Sequence, residues 1–273
     1  MKITLAHSPD ADDAFMFYGL ATGKIDTGDV KIEHKLQDIQ TLNEWALEGR
    51  HEITALSFHA YPSVQKKYAM CVAGASFGEK DYGPLLVRLP YGARHHMVIG
   101  VPGTKTTAFL LLKLWKPDVE FKVIPFDKIL NAVVSKEVDA GLIIHEGQLF
   151  YESLGLESVL NFGKWWYAQH KLPLPLGGNG IRRDLPKDLQ HKLAGWLRAS
   201  IEYGLSHRKE AVQHALQYSR DLSVEKADQF VGMYVNERTV DMGDDGKKSV
   251  QLLLDLGYRD KIISQPTQMD WIV

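Results

Sequence analysis

Short apolar runs alternate along the chain with stretches in which apolar residues recur at helical spacing. Ile3 to His7, Lys31 to Gln37 and Glu52 to Leu56 read as strands. Between them, Ala11 to Gly23 carries Phe15, Phe17, Tyr18 and Leu20 on a helical repeat, and Leu42, Trp45, Ala46 and Leu47 form a second helix ended by Gly49. A third helix follows Ser57 and reaches about Tyr68. The resulting β-α-β-α-β-α order predicts parallel strands joined by crossover helices.

Ala69 to Ala75 and Leu85 to Leu89 are two further strand-like runs. After the breaker segment Pro90-Tyr91-Gly92-Ala93-Arg94, a second series begins: strand Met97–Val101, helix Thr106–Trp115, strand Glu120–Ile124, helix Asp127–Val138, strand Ala140–Ile144 and a short helix over Glu146–Leu154. Ser158 to His170, with Trp165, Trp166 and Tyr167, is β-prone. Pro- and Gly-rich Lys171 to Gly180 marks a return crossing, and helices fill about 186–206, 208–218, 224–236 and 246–256 before an extended tail from Ile262 to Val273. Two crossings between two α/β units give a first lobe of residues 1–92 plus 175–273 and a smaller second lobe of 93–174. This is the layout of a periplasmic-binding-protein type 2 fold, with a ligand cleft between the lobes.

Composition narrows the function. The chain has 273 residues, 45% of them hydrophobic, enough for two lobes with cores. Its 32 basic and 34 acidic residues leave a net charge of −2, with no basic arm or patch to attract nucleic acid or an anionic membrane. Cys71 is the only cysteine and lies in an apolar run, which excludes an intramolecular disulfide and a multi-cysteine metal site. The first residues carry no apolar leader, and no apolar stretch of about 18 residues is present. The expectation is a cytoplasmic protein, of unknown oligomeric state, acting on a small molecule.

In open α/β sheets, ligands bind beyond the carboxyl ends of strands. Four such ends carry polar groups here: Ser8, Ser57, the 104–107 segment and His145. In Gly103-Thr104-Lys105-Thr106-Thr107-Ala108 a helix begins, so the amides of Thr107 and Ala108 can hold a carboxylate; a plain threonine cap is the alternative. Ser57, with the backbone of Ala55 and Leu56, can orient the same ligand or only cap the next helix. Asn43 is a further candidate, with a solvated amide as its ordinary role; Tyr234, Trp165 and Trp166 read as core or lobe packing, and any of the three can instead line an aromatic ligand's slot. Asp10-Ala11-Asp12-Asp13 lacks the spacing of a calcium loop and reads as charge complementing a helix start, so no metal is expected. His145 follows the buried run Ala140–Ile144 and precedes Glu146 and Gly147. With one ring nitrogen fixed by Glu146 or a carbonyl, the other can accept a proton; His7, His59, His95 and His96 are less well placed, and Arg94-His95-His96 reads as a solvated hinge patch.

Other motifs fail. Gly19 to Ile25 is one residue short of a P-loop, His145-Glu146 lacks the second histidine of a zinc protease, and neither a nucleophile elbow nor a dinucleotide-binding glycine motif is present. The reading is of chemistry without a cofactor, or of no reaction.

His7-Ser8-Pro9-Asp10-Ala11-Asp12-Asp13-Ala14-Phe15-Met16-Phe17-Tyr18, the Ala55-Leu56-Ser57 strand end, the Gly103–Ala108 loop and Ile144-His145-Glu146 together resemble the 1,4-dihydroxy-6-naphthoate synthases of the futalosine route to menaquinone. The likeness spans essentially the whole chain. Some members carry Pro-Asn where this chain has Ala11-Asp12. The resemblance implies a cofactor-independent carbon–carbon lyase that converts cyclic dehypoxanthine futalosine to 1,4-dihydroxy-6-naphthoate with loss of a sugar-derived fragment. His145 would be the proton acceptor, and the Ser57 region with Thr107 and Ala108 would bind substrate. Two rivals share the fold: the chorismate dehydratase of the same pathway, whose family opens without the Ser-Pro-Asp-Ala-Asp-Asp run, and a non-catalytic solute binder, which the fold alone does not exclude.

Overall fold

The computed structural model describes residues 1–90, 97–218 and 223–273. The proposed crossing at 90–94, the lobe boundary at 92/93 and the Arg94-His95-His96 patch fall wholly or partly outside them.

Among the described residues, twelve strands form two sheets. They are β1 (Lys2–His7), β2 (Lys31–Leu36), β3 (Ile53–Ser57), β4 (Tyr68–Cys71), β5 (Ser76–Gly78), β6 (Leu85–Arg88), β7 (Val98–Val101), β8 (Glu120–Val123), β9 (Ala140–Ile143), β10 (Glu157–Asn161), β11 (Leu174–Arg182) and β12 (Trp271–Ile272). The first sheet runs β12-β4-β11-β3-β1-β2, with β5 also on β11; the second runs β10-β6-β9-β7-β8. Strands β1, β2 and β3 are parallel, as the opening βα repeat predicts. In the second sheet β7 is parallel to β8 and β9.

Several expectations shift. Strand β6, assigned by sequence to the first lobe, pairs antiparallel with β9 and β10, so the chain passes to the second sheet between Gly78 and Leu85. Residues 174–180, taken as part of a crossing, lie within β11, antiparallel to β3, β4 and β5 at the centre of the first sheet. Its glycines permit this: a Cβ on Gly177 would lie 2.8 Å from the Leu56 carbonyl oxygen. The β-prone stretch 158–170 divides into β10 and a helix, Phe162–His170. Asn161 caps that helix by accepting from the Lys164 N–H at 3.0 Å, and Phe162 and Trp166, four residues apart, share its buried face. The Trp166 indole N–H donates to Ser249 Oγ at 3.1 Å, which fixes the ring in the core.

Helices Lys187–Ser206, Arg208–Ala215 and Val224–Tyr234 pack with Ala11–Met16 on one face of the first sheet. On its other face, Phe58, Tyr61 and Met70 share a core with Leu86, Val101 and Leu142 of the second sheet and with helices Thr107–Trp115 and Gly243–Arg259. The two sheets therefore adjoin through a continuous apolar layer. Among the described residues, no helix is long and apolar enough to cross a membrane.

Candidate functional site

The carboxyl ends of β1, β3, β7 and β9 converge on one cleft of about 150 Å³. Ser8 lines it from the end of β1, and Ala55, Leu56 and Ser57 from β3. Thr106, Thr107 and Ala108 line it after β7, Ile144 and Gln148 after β9. Tyr234, Gly177, Gly178 and Asn179 complete part of the wall.

The loop after β7 leads into a helix start at the cleft. Helix Thr107–Trp115 is capped by Thr106, whose Oγ1 accepts from the Phe109 N–H at 3.2 Å. The N–H groups of Thr107 and Ala108 head that helix and have no carbonyl partner within it. The first lobe holds the loop in place: Lys105 N–H donates to Gln40 Oε1 at 2.9 Å, Thr107 Oγ1 donates to the Leu176 carbonyl at 2.5 Å, and the His59 N–H donates to Thr107 Oγ1 at 3.3 Å. His59 Nδ1 lies 3.1 Å from the Thr106 carbonyl. Burial lowers the His59 pKa to about 4, so the ring is neutral at neutral pH and Nδ1 carries the proton it shares with that carbonyl.

Asn43, expected to touch ligand, does not line the cleft. It is fully buried behind Ser57, donating from Nδ2 to Ser57 Oγ at 3.0 Å and to the Lys105 carbonyl at 3.3 Å, and accepting from the Ser57 N–H at 2.9 Å. It ties the Ser57 strand end to the 105–108 loop. Ser8 lines the cleft, but its own polar groups are engaged: its N–H donates to Asp13 at 2.7 Å and its hydroxyl to Asp10 at 2.5 Å.

His145 and Glu146 also stand outside the lining, although Ile144 and Gln148 on either side belong to it. The ring is 7% exposed. Nε2 lies 3.0 Å from the Phe126 carbonyl, which accepts its proton, and Nδ1 accepts from the Gly147 N–H at 3.0 Å. This selects the tautomer with its lone pair on Nδ1. Glu146 Oε2 is 3.8 Å from Nδ1 and forms no hydrogen bond.

The cleft also receives residues that sequence reasoning assigned elsewhere. Asp10, Asp12 and Asp13, read as helix-start charges, all line it. Burial, then the neighbouring Asp10 and, more weakly, Glu146, raise the Asp12 pKa to about 7, while burial and Asp12 raise Asp13 well above the carboxylate range. Their run after a strand end was the available signal; helix-dipole complementarity masked it. Gln148 and Asn179, each at least nine-tenths buried, line the cleft with Gln148 Nε2 and Asn179 Oδ1 unpartnered. Tyr234 lines it and donates to Gln148 Oε1 at 3.2 Å. Among the described residues, no cluster of three or more His, Cys, Asp or Glu side chains has the arrangement of a metal site.

Comparison with known proteins places this geometry in context. Residues 3–259 match a family model described as menaquinone biosynthesis. A 1,4-dihydroxy-6-naphtoate synthase of Thermus thermophilus is 39% identical over 252 residues, 92% of each chain. One from Streptomyces coelicolor is 32% identical over 259 residues, covering 92% of this chain and 91% of that one. A crystal structure of a protein from Archaeoglobus fulgidus superposes with a TM-score of 0.92 at 45% identity, covering 96% of this chain and 98% of that one. The alkanesulfonate-binding protein SsuA from Xanthomonas axonopodis pv. citri, bound to MOPS, reaches a TM-score of 0.75 at 12% identity, covering 97% and 95%. At that identity the likeness concerns the fold, which is that of the periplasmic binding proteins.

Proposed function

From the chain's membership of the menaquinone biosynthesis family, to which it belongs over residues 3–259, we propose that it is a 1,4-dihydroxy-6-naphthoate synthase acting on cyclic dehypoxanthine futalosine. The observation that carries this reading is the likeness to the Thermus synthase over 92% of both chains, and the cleft has the groups such a substrate needs. Its carboxylate is held by the amides of Thr107 and Ala108, where the helix start favours negative charge, and Ser57 hydrogen-bonds beside it.

The reaction is a carbon–carbon cleavage begun by proton removal and drawn forward by aromatisation of the product ring. It requires movement of protons and of the cleaved bond's electrons, and no external electron carrier. His145 is the proton acceptor in this reading. Its lone pair lies on Nδ1, so a local shift of the Glu146–Leu149 turn must exchange the Gly147 N–H for a substrate proton. Glu146 Oε2, 3.8 Å from Nδ1, then steadies the imidazolium. Contact between the lobes at Thr107 and Leu176 keeps water away from the intermediate.

Purified protein incubated with cyclic dehypoxanthine futalosine is expected to release the naphthoate chromophore. His145→Ala should lower kcat by roughly 10²–10⁴-fold with KM changed little, the range for loss of a general base. A His145→Ala protein with normal turnover removes the base assignment, and a wild-type protein without product removes the activity.

A further inference from the structure

We propose that Gln148 and Asn179 form a hydroxyl-recognising subsite of the cleft, which holds the sugar-derived part of the substrate while its carboxylate is held elsewhere. The inference rests on the synthase reading for the identity of that substrate, and deepens it by naming two residues that decide which substrates are accepted.

Asn179 is the firmer anchor. It is 2% exposed and lines the cleft from β11. Its Nδ2 donates to the Gly74 carbonyl at 3.0 Å. A carbonyl only accepts, so the amide has one orientation and Oδ1 is an acceptor. Gly74 is fitted to it: its φ is +79°, and a Cβ there would lie 2.4 Å from Asn179 Nδ2. Among the described residues, Oδ1 has no partner. Gln148, 8% exposed, lines the cleft from the turn Glu146–Leu149 that follows β9. Tyr234 donates to its Oε1 at 3.2 Å, and Nε2 is left without a partner among the described residues.

One cleft thus receives an acceptor from the first sheet and a donor from the segment that follows β9 of the second. Buried polar groups in native proteins are rarely left unsatisfied. An alcohol answers both, since its O–H donates while its lone pairs accept. A carboxylate has no proton for Oδ1, and an apolar ring satisfies neither group. Position along β11 separates this subsite from the helix start at Thr107 and Ala108. Leu176, whose carbonyl accepts from Thr107 Oγ1, lies three residues before Asn179, a run of about 10 Å along a strand. A substrate with a carboxylate at one end and hydroxyls at the other can bridge that run. A deoxygenated relative leaves a buried donor and a buried acceptor unpaired.

The test compares cyclic dehypoxanthine futalosine with an analogue in which the hydroxyls of the sugar-derived part are replaced by hydrogen. KM is measured for the first and the inhibition constant, as a competitor, for the second. Wild type, Gln148→Met and Asn179→Leu are assayed, each substitution keeping roughly the side-chain volume while removing its polar atoms. In wild type the analogue should bind roughly 10–100-fold more weakly than the parent, the size of one or two buried hydrogen bonds lost. In each variant the parent should weaken roughly tenfold and the analogue should not, so the preference shrinks. A merely structural loss weakens both compounds alike and leaves their ratio unchanged. Two results overturn the proposal: no preference in wild type, which makes ordered water the only occupant of the two groups, or an unchanged preference in either folded variant. Should Asn179→Leu fail to fold for want of its bond to Gly74, the wild-type ratio and Gln148→Met decide. If wild type releases no naphthoate, the synthase reading fails. The side-chain amide NMR signals of Gln148 and Asn179 are then followed during titration with D-ribose: movement of both upholds the hydroxyl subsite, and anything less overturns it.

Discussion

Removing the Asn43 carboxamide would strand the buried Ser57 N–H and take one donor from the Lys105 carbonyl. Leaving buried polar groups unpaired costs about 1–3 kcal/mol, so Asn43→Ala should lower stability by that order in urea unfolding and raise KM through a displaced Ser57. Asp12 adds a pH-dependent term. Its folded-state pKa of about 7 lies above the ordinary 3.8. Its contribution is therefore fully favourable below the unfolded value and is lost as pH rises through about 7. Asp12→Asn should melt above wild type at alkaline pH, the gap closing as the solution is acidified, a trend that thermal scans at several pH values will read. The cleft-lining positions of Ser57, Thr107 and Ala108 are legible because each follows a strand end. Asn43 was named for the wrong task, since nothing local tells a ligand-touching amide from one that supports a neighbouring loop.

Strand β9 lies within one residue of its expected range, because four buried residues in a row permit little else. Gly141 within it decides how near helix Ile129–Val134 can come: an added Cβ would lie 2.5 Å from Ile129 Cγ2 and 2.8 Å from Val133 Cγ2. Gly141→Ala should therefore cost about 1–3 kcal/mol, the range for overpacking, read as a lowered Tm. It should also disturb the Phe126 carbonyl, just before that helix, which holds His145 Nε2. Helix Phe162–His170 escaped the sequence reading because its aromatic content favours strands. What decides it is Asn161 at its cap and burial of Trp166, whose indole N–H reaches Ser249 more than eighty positions away. Glycine- and proline-rich β11 escaped for the opposite reason: breakers normally mark loops, yet here they let one strand lie against three neighbours.

Across the whole molecule, the two lobes and the cleft between them follow from counting βα units, whereas the point of passage between them does not, because β6 looks the same whichever sheet it joins. The lobes meet through Gln40, His59 and Leu176 on one side and the Lys105–Thr107 loop on the other. Gln40→Ala should loosen that contact, giving a larger radius of gyration in small-angle scattering and a higher KM. The connections at the back of the cleft set how such loosening can proceed. Strand β5, the last before the chain leaves the first sheet, and β11, the first after it returns, are partners, with Leu174 opposite Gly78. Outgoing and incoming chain are thus stitched side by side, like the spine of a book. Such a binding lets the covers part along one line while resisting shear and twist, so each reopening brings the facing pages back into the same register.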